Sequence, residues 1–128
     1  MKVLIIDDDM RNIFALSAVL KTKKLVCFSA VSVPEGLSIL ADNREISLVL
    51  LDIMMPDIDG FEAIRMIRAD ETLSHLPIIA VTAKAMDGDR EKCLEAGADD
   101  YISKPVDISK LMQIISGYVN PQPVRSAE

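Results

Sequence analysis

The chain has 128 residues, of which 50% are hydrophobic, a size and composition that predict one compact domain with a single core. Its 20 acidic and 14 basic residues give a net charge of -6 without a dense run of Lys or Arg, which argues against direct binding to nucleic acid. No apolar stretch approaches the roughly 20 residues that span a bilayer, and no cleavage pattern follows Met1, so we expect a cytoplasmic protein without direct membrane contact.

Short apolar runs rich in Val, Ile and Leu alternate with segments of helical periodicity. The runs predict buried parallel strands, and they lie at residues 3–6, 25–28, 48–51, 77–81 and 101–102. Each is followed by a predicted helix, of which the fourth, at about residues 87–96, is the least regular and ends at Gly97, a residue that suits a left-handed cap. Strict alternation of strand and helix predicts a three-layer α/β sandwich with a mostly parallel sheet.

The last segment differs in composition from the rest of the chain. Residues 121–128 contain two prolines, small residues and charges without periodicity, so we expect a flexible tail or linker after a domain of residues 1–120. Cys27 and Cys93 are far apart and have no neighbouring Cys or His at metal-site spacing. We interpret both cysteines as small hydrophobic residues.

Polar residues follow four of the five predicted strands. Asp7 and Asp8 follow the first strand, Asp52 follows the third, Thr82 the fourth and Lys104 the fifth. In open parallel sheets, ligands bind at the carboxyl ends of the strands, so these residues are expected to converge on one site.

The residue types at these strand ends favour metal and phosphoryl chemistry. Carboxylates about 4 Å apart repel by roughly 4 kcal/mol at an effective dielectric constant near 20, which calls for a cation. An all-oxygen ligand set predicts Mg²⁺ and disfavours zinc. With the metal bound, Asp52 could attack phosphorus, while the Thr82 hydroxyl and the Lys104 ammonium neutralise the transferring group.

Four segments carry a resemblance to a known family: IIDDD, LVLLDIMMPDIDG, AVTA and YISKP. In their order and spacing, over about residues 2–119, the chain resembles the receiver domain of two-component response regulators. The segments DDDMRNIFAL and AKAMDGDREKCLEAGADDYISKPVD are most similar to the receivers of hybrid histidine kinases. The resemblance implies a flavodoxin-like (βα)5 fold with a parallel five-stranded sheet of order 2-1-3-4-5.

The resemblance also implies roles around the carboxylates. Asp52 is the expected phosphoacceptor. Asp8 and Asp52 are expected to bind Mg²⁺ directly together with the backbone carbonyl of Met54, and Asp7 acts mainly through water. Met54 and Lys84, on either side of the site, are expected to tune the rate at which the phosphate is hydrolysed.

A second group of roles concerns the switch. Thr82 and Lys104 are expected to contact the phosphoryl oxygens, and Tyr101 is the expected aromatic switch that turns inward when Thr82 moves. The peptide bond between Lys104 and Pro105 is expected to be cis.

The implied function is that of a switch rather than an enzyme. A histidine kinase or histidine phosphotransfer protein would supply a phosphoryl group from phosphohistidine, in a phosphotransfer that the receiver itself catalyses. Slow dephosphorylation would return it to the resting state. The signal would pass to a downstream output protein or an attached domain. A single-domain response regulator and a receiver of a hybrid histidine kinase both fit the sequence.

Other interpretations remain for the chain and for single residues. A Mg²⁺-dependent aspartyl phosphatase and a receiver-like scaffold that is not phosphorylated are the rival functions. Asp9 is expected to cap the first helix, and His75 is expected to be a solvated loop residue. The residues from Asp57 to Gly60 resemble part of a phosphatase or calcium loop, but Pro56 separates them from the strand end, so we interpret them as a turn that caps the next helix.

Overall fold

The computed structural model describes residues 1–56, 58–82 and 88–119, which form five strands and five helices in strict alternation. In chain order these elements are β1 (Lys2–Ile6), α1 (Met10–Thr22), β2 (Val26–Ala30), α2 (Val33–Asp42), β3 (Ile46–Asp52), α3 (Gly60–Ala69), β4 (Ile78–Thr82), α4 (Asp89–Ala96), β5 (Asp100–Ser103) and α5 (Ile108–Val119). The alternation predicted from the apolar runs is confirmed.

The five strands form one parallel sheet in the order β2-β1-β3-β4-β5. The strand order reverses beside β1, whose Ile6 pairs with Leu51 of β3. Asp7 directly follows β1, and Asp52 is the last residue of β3. These two residues therefore lie at the ends of adjacent strands. We call the side where the strands end the carboxyl edge and the opposite side the amino edge.

Two hydrophobic clusters cover the two faces of the sheet. Successive strand residues alternate between them: Leu4 lies in the cluster beneath α2, α3 and α4, whereas Ile5 lies in the cluster beneath α1 and α5. Because both faces are covered, the three central strands β1, β3 and β4 are buried almost throughout, which is the reason for their continuous apolar sequences, whereas the edge strands β2 and β5 are partly exposed. The three-layer sandwich and the flavodoxin-like strand order are confirmed.

Side-chain caps fix where the helices at the carboxyl edge begin. Asp9 accepts a hydrogen bond from the Arg11 amide at 2.9 Å and starts α1, and Asp59 accepts one from the Phe61 amide at 2.8 Å and starts α3. Both caps agree with the predictions, although Asp57 lies outside the described residues. At the other end of a helix, Gly97 has φ +119° and closes α4, as its sequence position predicted.

Arg68 joins three segments at the amino edge. Its guanidinium donates to the carbonyls of Gly97 at 2.8 Å, Ser74 at 3.0 Å and Leu76 at 2.6 Å. It also pairs with the carboxylate of Asp99 at 2.7 Å. A Cβ atom on Gly97 would lie 2.8 Å from the Arg68 Cγ atom, so the glycine makes room for the guanidinium. Arg68 thereby ties the end of α3 to the loops that enter β4 and β5.

The two cysteines lie on opposite faces of the sheet. Cys93 of α4 is buried in the cluster beneath α2, α3 and α4, and Cys27 of β2 packs half-buried against the cluster beneath α1 and α5. A bilayer-spanning helix needs about 20 apolar residues, and none of the helices in the described part of the chain combines the length and the apolarity for that.

Candidate phosphoacceptor site

The polar residues predicted from the strand ends do meet at the carboxyl edge. Asp7, Asp52 and Thr82 are buried, with 2%, 3% and 3% of their surface exposed, whereas Asp8 is exposed. One carboxylate oxygen from each of Asp7, Asp8 and Asp52 lies within 4.8 Å of the others. The sheet thus brings two buried carboxylates and one exposed carboxylate into one cluster.

Lys104 reaches this cluster from β5. Its ammonium nitrogen lies 3.4 Å from Asp7 Oδ2 and 3.5 Å from Asp52 Oδ2. The Lys104 amide donates to the Thr82 carbonyl at 2.7 Å, directly beyond the pairing of Thr82 with Ser103. The cis peptide bond between Lys104 and Pro105, which the family resemblance implied, is present. Lys104 is therefore placed between both buried carboxylates and next to Thr82.

The charges in the cluster are only partly balanced. Burial raises the pKa of Asp52, and the neighbouring Asp7 carboxylate raises it further, against the opposing effects of the Met54 amide and Lys104. Burial also disfavours the Lys104 ammonium, but the carboxylates of Asp52 and Asp7 outweigh it and raise the pKa of Lys104. Among the described residues, one ammonium thus serves the cluster of three carboxylates, and the ionised form of Asp52 is at a disadvantage until further positive charge arrives.

Backbone contacts hold the Asp52 carboxylate and the loop after it. The Met54 amide donates to Asp52 Oδ1 at 3.0 Å, and the Ile53 amide continues the ladder to the Val81 carbonyl at 2.9 Å. A Cβ atom on Gly60 would lie 2.5 Å from the Ile53 Cα atom, so only glycine allows α3 to begin against this loop. The Asp52 side chain is therefore fixed from its own strand and from the start of α3.

Asn12 also takes part in the site, and the strand-end argument missed it. Its side-chain amide donates to Asp7 Oδ2 at 2.5 Å, while the Asp9 amide donates to Asp7 Oδ1 at 2.9 Å. Asn12 belongs to a helix, so a search of strand ends does not reach it. The available signal is an amide side chain three residues after the Asp9 cap, on the first turn of the helix that follows the acidic pair.

Several other residues were predicted to act near the site. Tyr101 is half-buried in β5, where it pairs with Ala80 and packs on the cluster beneath α2, α3 and α4. Met54 follows Asp52 with 49% of its surface exposed, and its carbonyl as a metal ligand stays a prediction. Lys84 lies outside the described residues. The switch role of Tyr101 and the rate-tuning roles of Met54 and Lys84 also stay predictions.

The acidic cluster fits a divalent cation bound through oxygen. Mg²⁺ holds its ligands at about 2.1 Å, so two oxygens on opposite sides of the ion are about 4.2 Å apart. Adjacent ligands of the ion are about 3.0 Å apart, so the three carboxylate oxygens, all within 4.8 Å of one another, would move closer together to share one ion. His and Cys are absent from this set, which favours Mg²⁺ over zinc.

Comparison with known families decides which kind of protein has this site. A family model described as the response regulator receiver domain matches residues 3–116. The chain belongs to the response regulator receiver domain family. As a receiver domain, it is a phosphoacceptor switch of two-component and phosphorelay signalling.

Relatives of this receiver differ widely in length. It is 39% identical over 122 residues to the hybrid signal transduction histidine kinase L of Dictyostelium discoideum, covering 91% of this chain and 7% of that protein. It is 40% identical over 80 residues to the polar-differentiation response regulator DivK of Brucella ovis, covering 62% of this chain and 65% of that protein. The receiver therefore spans less than two thirds of the length of either relative.

A solved structure gives the same fold in a complex. The receiver domain of the Saccharomyces cerevisiae response regulator Ssk1, co-crystallised with the histidine phosphotransfer signalling protein Ypd1, is similar with a TM-score of 0.83 and 27% identity. The match covers 92% of this chain and 88% of that one. Ssk1 is the downstream response regulator of Ypd1.

Proposed function

We propose that this receiver accepts a phosphoryl group on Asp52 from a phosphohistidine and that the modified form binds a different partner from the resting form. The observation that supports this most directly is the convergence of three carboxylates and one ammonium at the carboxyl edge, with Asp7 and Asp52 nearly inaccessible. Burying carboxylates of like charge side by side destabilises the folded state unless a cation or a transferring group interacts with them.

The transfer is a single displacement at phosphorus. An oxygen of the Asp52 carboxylate forms a bond to phosphorus as the bond from phosphorus to the imidazole nitrogen breaks. The imidazole leaves with the bonding electron pair and takes up a proton when a neutral ring is restored. Asp8, Asp52 and the Met54 carbonyl would hold Mg²⁺, with Asp7 acting through water, and the bound ion would neutralise charge on the phosphoryl oxygens.

Lys104 and Thr82 complete the neutralisation. The Lys104 ammonium already lies within 3.5 Å of Asp52 Oδ2, close enough to meet a phosphoryl oxygen after a small side-chain movement. Thr82 is buried at the end of β4, the strand next to β3, and its hydroxyl would be a second donor to the phosphoryl group. Neutral and cationic donors on the phosphoryl oxygens stabilise the charge that spreads over them during transfer.

Phosphorylation would then shift the population of two conformations. The dianionic group attracts Thr82 and Lys104, and Tyr101 turns inward as Thr82 moves. Coupling between two sites of this kind is typically about 1–3 kcal/mol, enough to change partner binding without changing the fold. Met54 and Lys84 flank the acceptor and set how quickly water removes the phosphate.

The proposed partners follow from the phosphoryl donor and from the charge of the domain. A histidine kinase or histidine phosphotransfer protein supplies the phosphohistidine, as the co-crystal of Ypd1 with the similar Ssk1 receiver supports. Output passes to a downstream protein or to a domain attached beyond residue 120, with 121–128 as tail or linker. With a net charge of -6, the domain has no direct contact with nucleic acid or membrane and acts in the cytoplasm.

The test is Mg²⁺-dependent modification of Asp52. The chain is incubated with a small acyl phosphate donor, with and without Mg²⁺, and covalent modification is followed by intact mass and peptide mapping. We expect wild type to gain one phosphoryl group only with Mg²⁺ and Asp52→Asn to gain none. Asp42→Asn, which removes an exposed carboxylate at the end of α2, is the matched control and should behave as wild type.

Two outcomes would contradict the proposal. Absence of Mg²⁺-dependent modification in wild type would exclude a phosphoacceptor and favour a receiver-like scaffold. Release of inorganic phosphate from simple phosphate esters, with many turnovers per chain and loss in Asp52→Asn, would instead favour the phosphatase.

A further inference from the structure

Asp7 is held by two kinds of hydrogen-bond donor. Only 2% of the residue is exposed, so its carboxylate depends on protein groups rather than on bulk water. Oδ1 accepts from the Asp9 amide at 2.9 Å, and Oδ2 accepts from the Asn12 side-chain amide at 2.5 Å. The Lys104 ammonium lies 3.4 Å from the same Oδ2 atom. Asp7 Oδ2 therefore has one neutral donor and one cationic neighbour.

These two donors differ in their other contacts. The Lys104 ammonium also lies 3.5 Å from Asp52 Oδ2, so it is shared between the two buried carboxylates. In the proposed function, Lys104 moves toward the phosphoryl group on Asp52 and its contact with Asp7 weakens. The Asn12 amide carries no charge, so it can stay on Asp7 without opposing a bound cation. Asn12 is thus the donor that suits every stage of the reaction.

The local backbone aims Asn12 at Asp7. Asp9 starts α1, and the Asn12 amide nitrogen of the backbone donates to the Asp9 carbonyl at 3.1 Å, which places Asn12 in the first helical turn. In an ordinary capping box, the side chain three residues after the cap accepts from the backbone N–H of the cap. Here the Asp9 N–H donates to Asp7 instead, and Asn12 also donates to Asp7. Both groups of the cap are directed to the acidic cluster rather than to each other.

From this geometry we propose that Asn12 is a positioning residue of the Mg²⁺ site, an inference that rests on the proposed function. Its amide fixes the rotation of the Asp7 carboxylate and keeps Oδ2 hydrogen bonded when Lys104 turns to the phosphoryl group. Groups that hydrogen bond to metal-binding side chains orient them, and their loss typically lowers metal affinity by about 10- to 100-fold. Asn12 has this effect through Asp7 and does not touch the ion.

The experiment measures Mg²⁺ affinity directly, by titration calorimetry on the whole chain. Asn12→Leu removes the donor at nearly constant volume, and Asn12→Ala removes it without adding an apolar branch. Ser17→Ala, a half-buried polar residue further along α1, is the control. We expect both Asn12 variants to bind Mg²⁺ about tenfold more weakly than wild type, and the control to bind as wild type. Thermal unfolding in a chelator verifies that each variant is folded.

The outcomes separate this inference from the proposed function. If wild type binds Mg²⁺ and is modified on Asp52, but both Asn12 variants bind Mg²⁺ within about twofold of wild type, a margin of roughly 0.4 kcal/mol, the positioning role is overturned and the phosphoacceptor stands. If wild type itself neither binds Mg²⁺ nor is modified, the proposed function fails first.

A second measurement does not depend on any variant. In wild type with Mg²⁺ and beryllofluoride, which occupies the place of a phosphoryl group, the side-chain amide protons of Asn12 are observed by NMR. We expect them to remain protected from exchange with water as in the resting state. Exchange at the rate of a solvated amide in the loaded state would overturn the role.

Discussion

The two edges of the sheet use charge in opposite ways. At the amino edge, the Arg68 guanidinium is matched by three carbonyls and the Asp99 carboxylate, so its charge and its donors are satisfied. At the carboxyl edge, one ammonium from Lys104 serves a cluster of three carboxylates, and burial raises the pKa of Asp52. The amino edge contributes stability, whereas the carboxyl edge gives up stability in order to hold a reactive site.

Removing Arg68 should have the largest effect on stability. Arg68→Ala removes the guanidinium donor from the carbonyls of Ser74, Leu76 and Gly97 and leaves the Asp99 carboxylate with the Ile78 amide but without its cationic partner, so we expect a loss of about 3 kcal/mol in the free energy of unfolding. Urea denaturation measures it. Arg65→Ala, an exposed arginine on the same helix, should change stability by no more than about 0.5 kcal/mol. Equal losses in both variants would remove the proposed difference between the edges.

Binding of Mg²⁺ should offset the loss of stability that the carboxylate cluster causes at the carboxyl edge. At a concentration about 100 times its dissociation constant, an ion that binds only the folded chain adds about 2.7 kcal/mol to the free energy of unfolding. We expect this gain in wild type and in Asp42→Asn, and its loss in Asp8→Asn, which removes the exposed carboxylate of the cluster. Thermal unfolding with and without a chelator tests it. A gain of the same size in Asp8→Asn would place the ion elsewhere.

Without Mg²⁺, Asp52→Asn should be more stable than wild type. The amide replaces a buried carboxylate next to Asp7, and relieving such a charge contributes roughly 1–3 kcal/mol. The raised pKa means that the folded chain holds the Asp52 proton more tightly than the unfolded chain does. Wild type therefore loses stability relative to the variant as the pH rises above the ordinary carboxyl value of 3.8 and through the raised pKa of the folded state.

Urea denaturation of both proteins in a chelator, from acid to neutral pH, measures this difference. We expect the two curves to coincide at low pH, where Asp52 is protonated and neutral in wild type, and to separate toward neutral pH. A constant difference across the range, or a less stable variant at neutral pH, would show that Asp52 is not held at a disadvantage.

The smallest effect is expected for an exposed ion pair at the amino edge. Lys2 pairs with Glu45 at 3.2 Å, and both side chains are well exposed. Solvent screens such pairs, so Glu45→Gln should leave the urea midpoint within experimental error of wild type. A clear decrease would mean that the stability of this edge is spread over its surface charges rather than concentrated at Arg68.

The fold was largely predictable because its sequence signal is local and repeated. Each apolar run between two helical segments had to be a buried strand, and alternation then determined the layers. The bounds of β2 were not predictable. Leu25, expected in the strand, instead lies before it, where its amide caps α1 by bonding to the Leu20 carbonyl after a turn at Lys24 with φ +66°. An apolar residue reports burial, and burial beneath a helix end is indistinguishable in sequence from burial in a strand.

The candidate site was predictable as far as strand ends could locate it. Asp7, Asp52, Thr82 and Lys104 meet because parallel strands end at one edge, a consequence of topology. The contact of Asn12 with Asp7 depends on the rotation of α1 about its axis, which the Asp9 cap sets to within a fraction of a turn. Side-chain hydrogen bonds of this kind need atomic positions, and residue spacing does not supply them.

Only 3% of Asp52 is exposed, whereas Asp8 and Met54 beside it are exposed. In the proposed function, an acyl phosphate on Asp52 would be open to water but closed to any reagent that cannot extend a reactive atom to it. An imidazole on a flexible side chain can do so, whereas the flat surface of a folded protein cannot. The lifetime of the signal would therefore depend on steric access as much as on chemical reactivity, and a partner that ends the signal must bring a protruding group of its own.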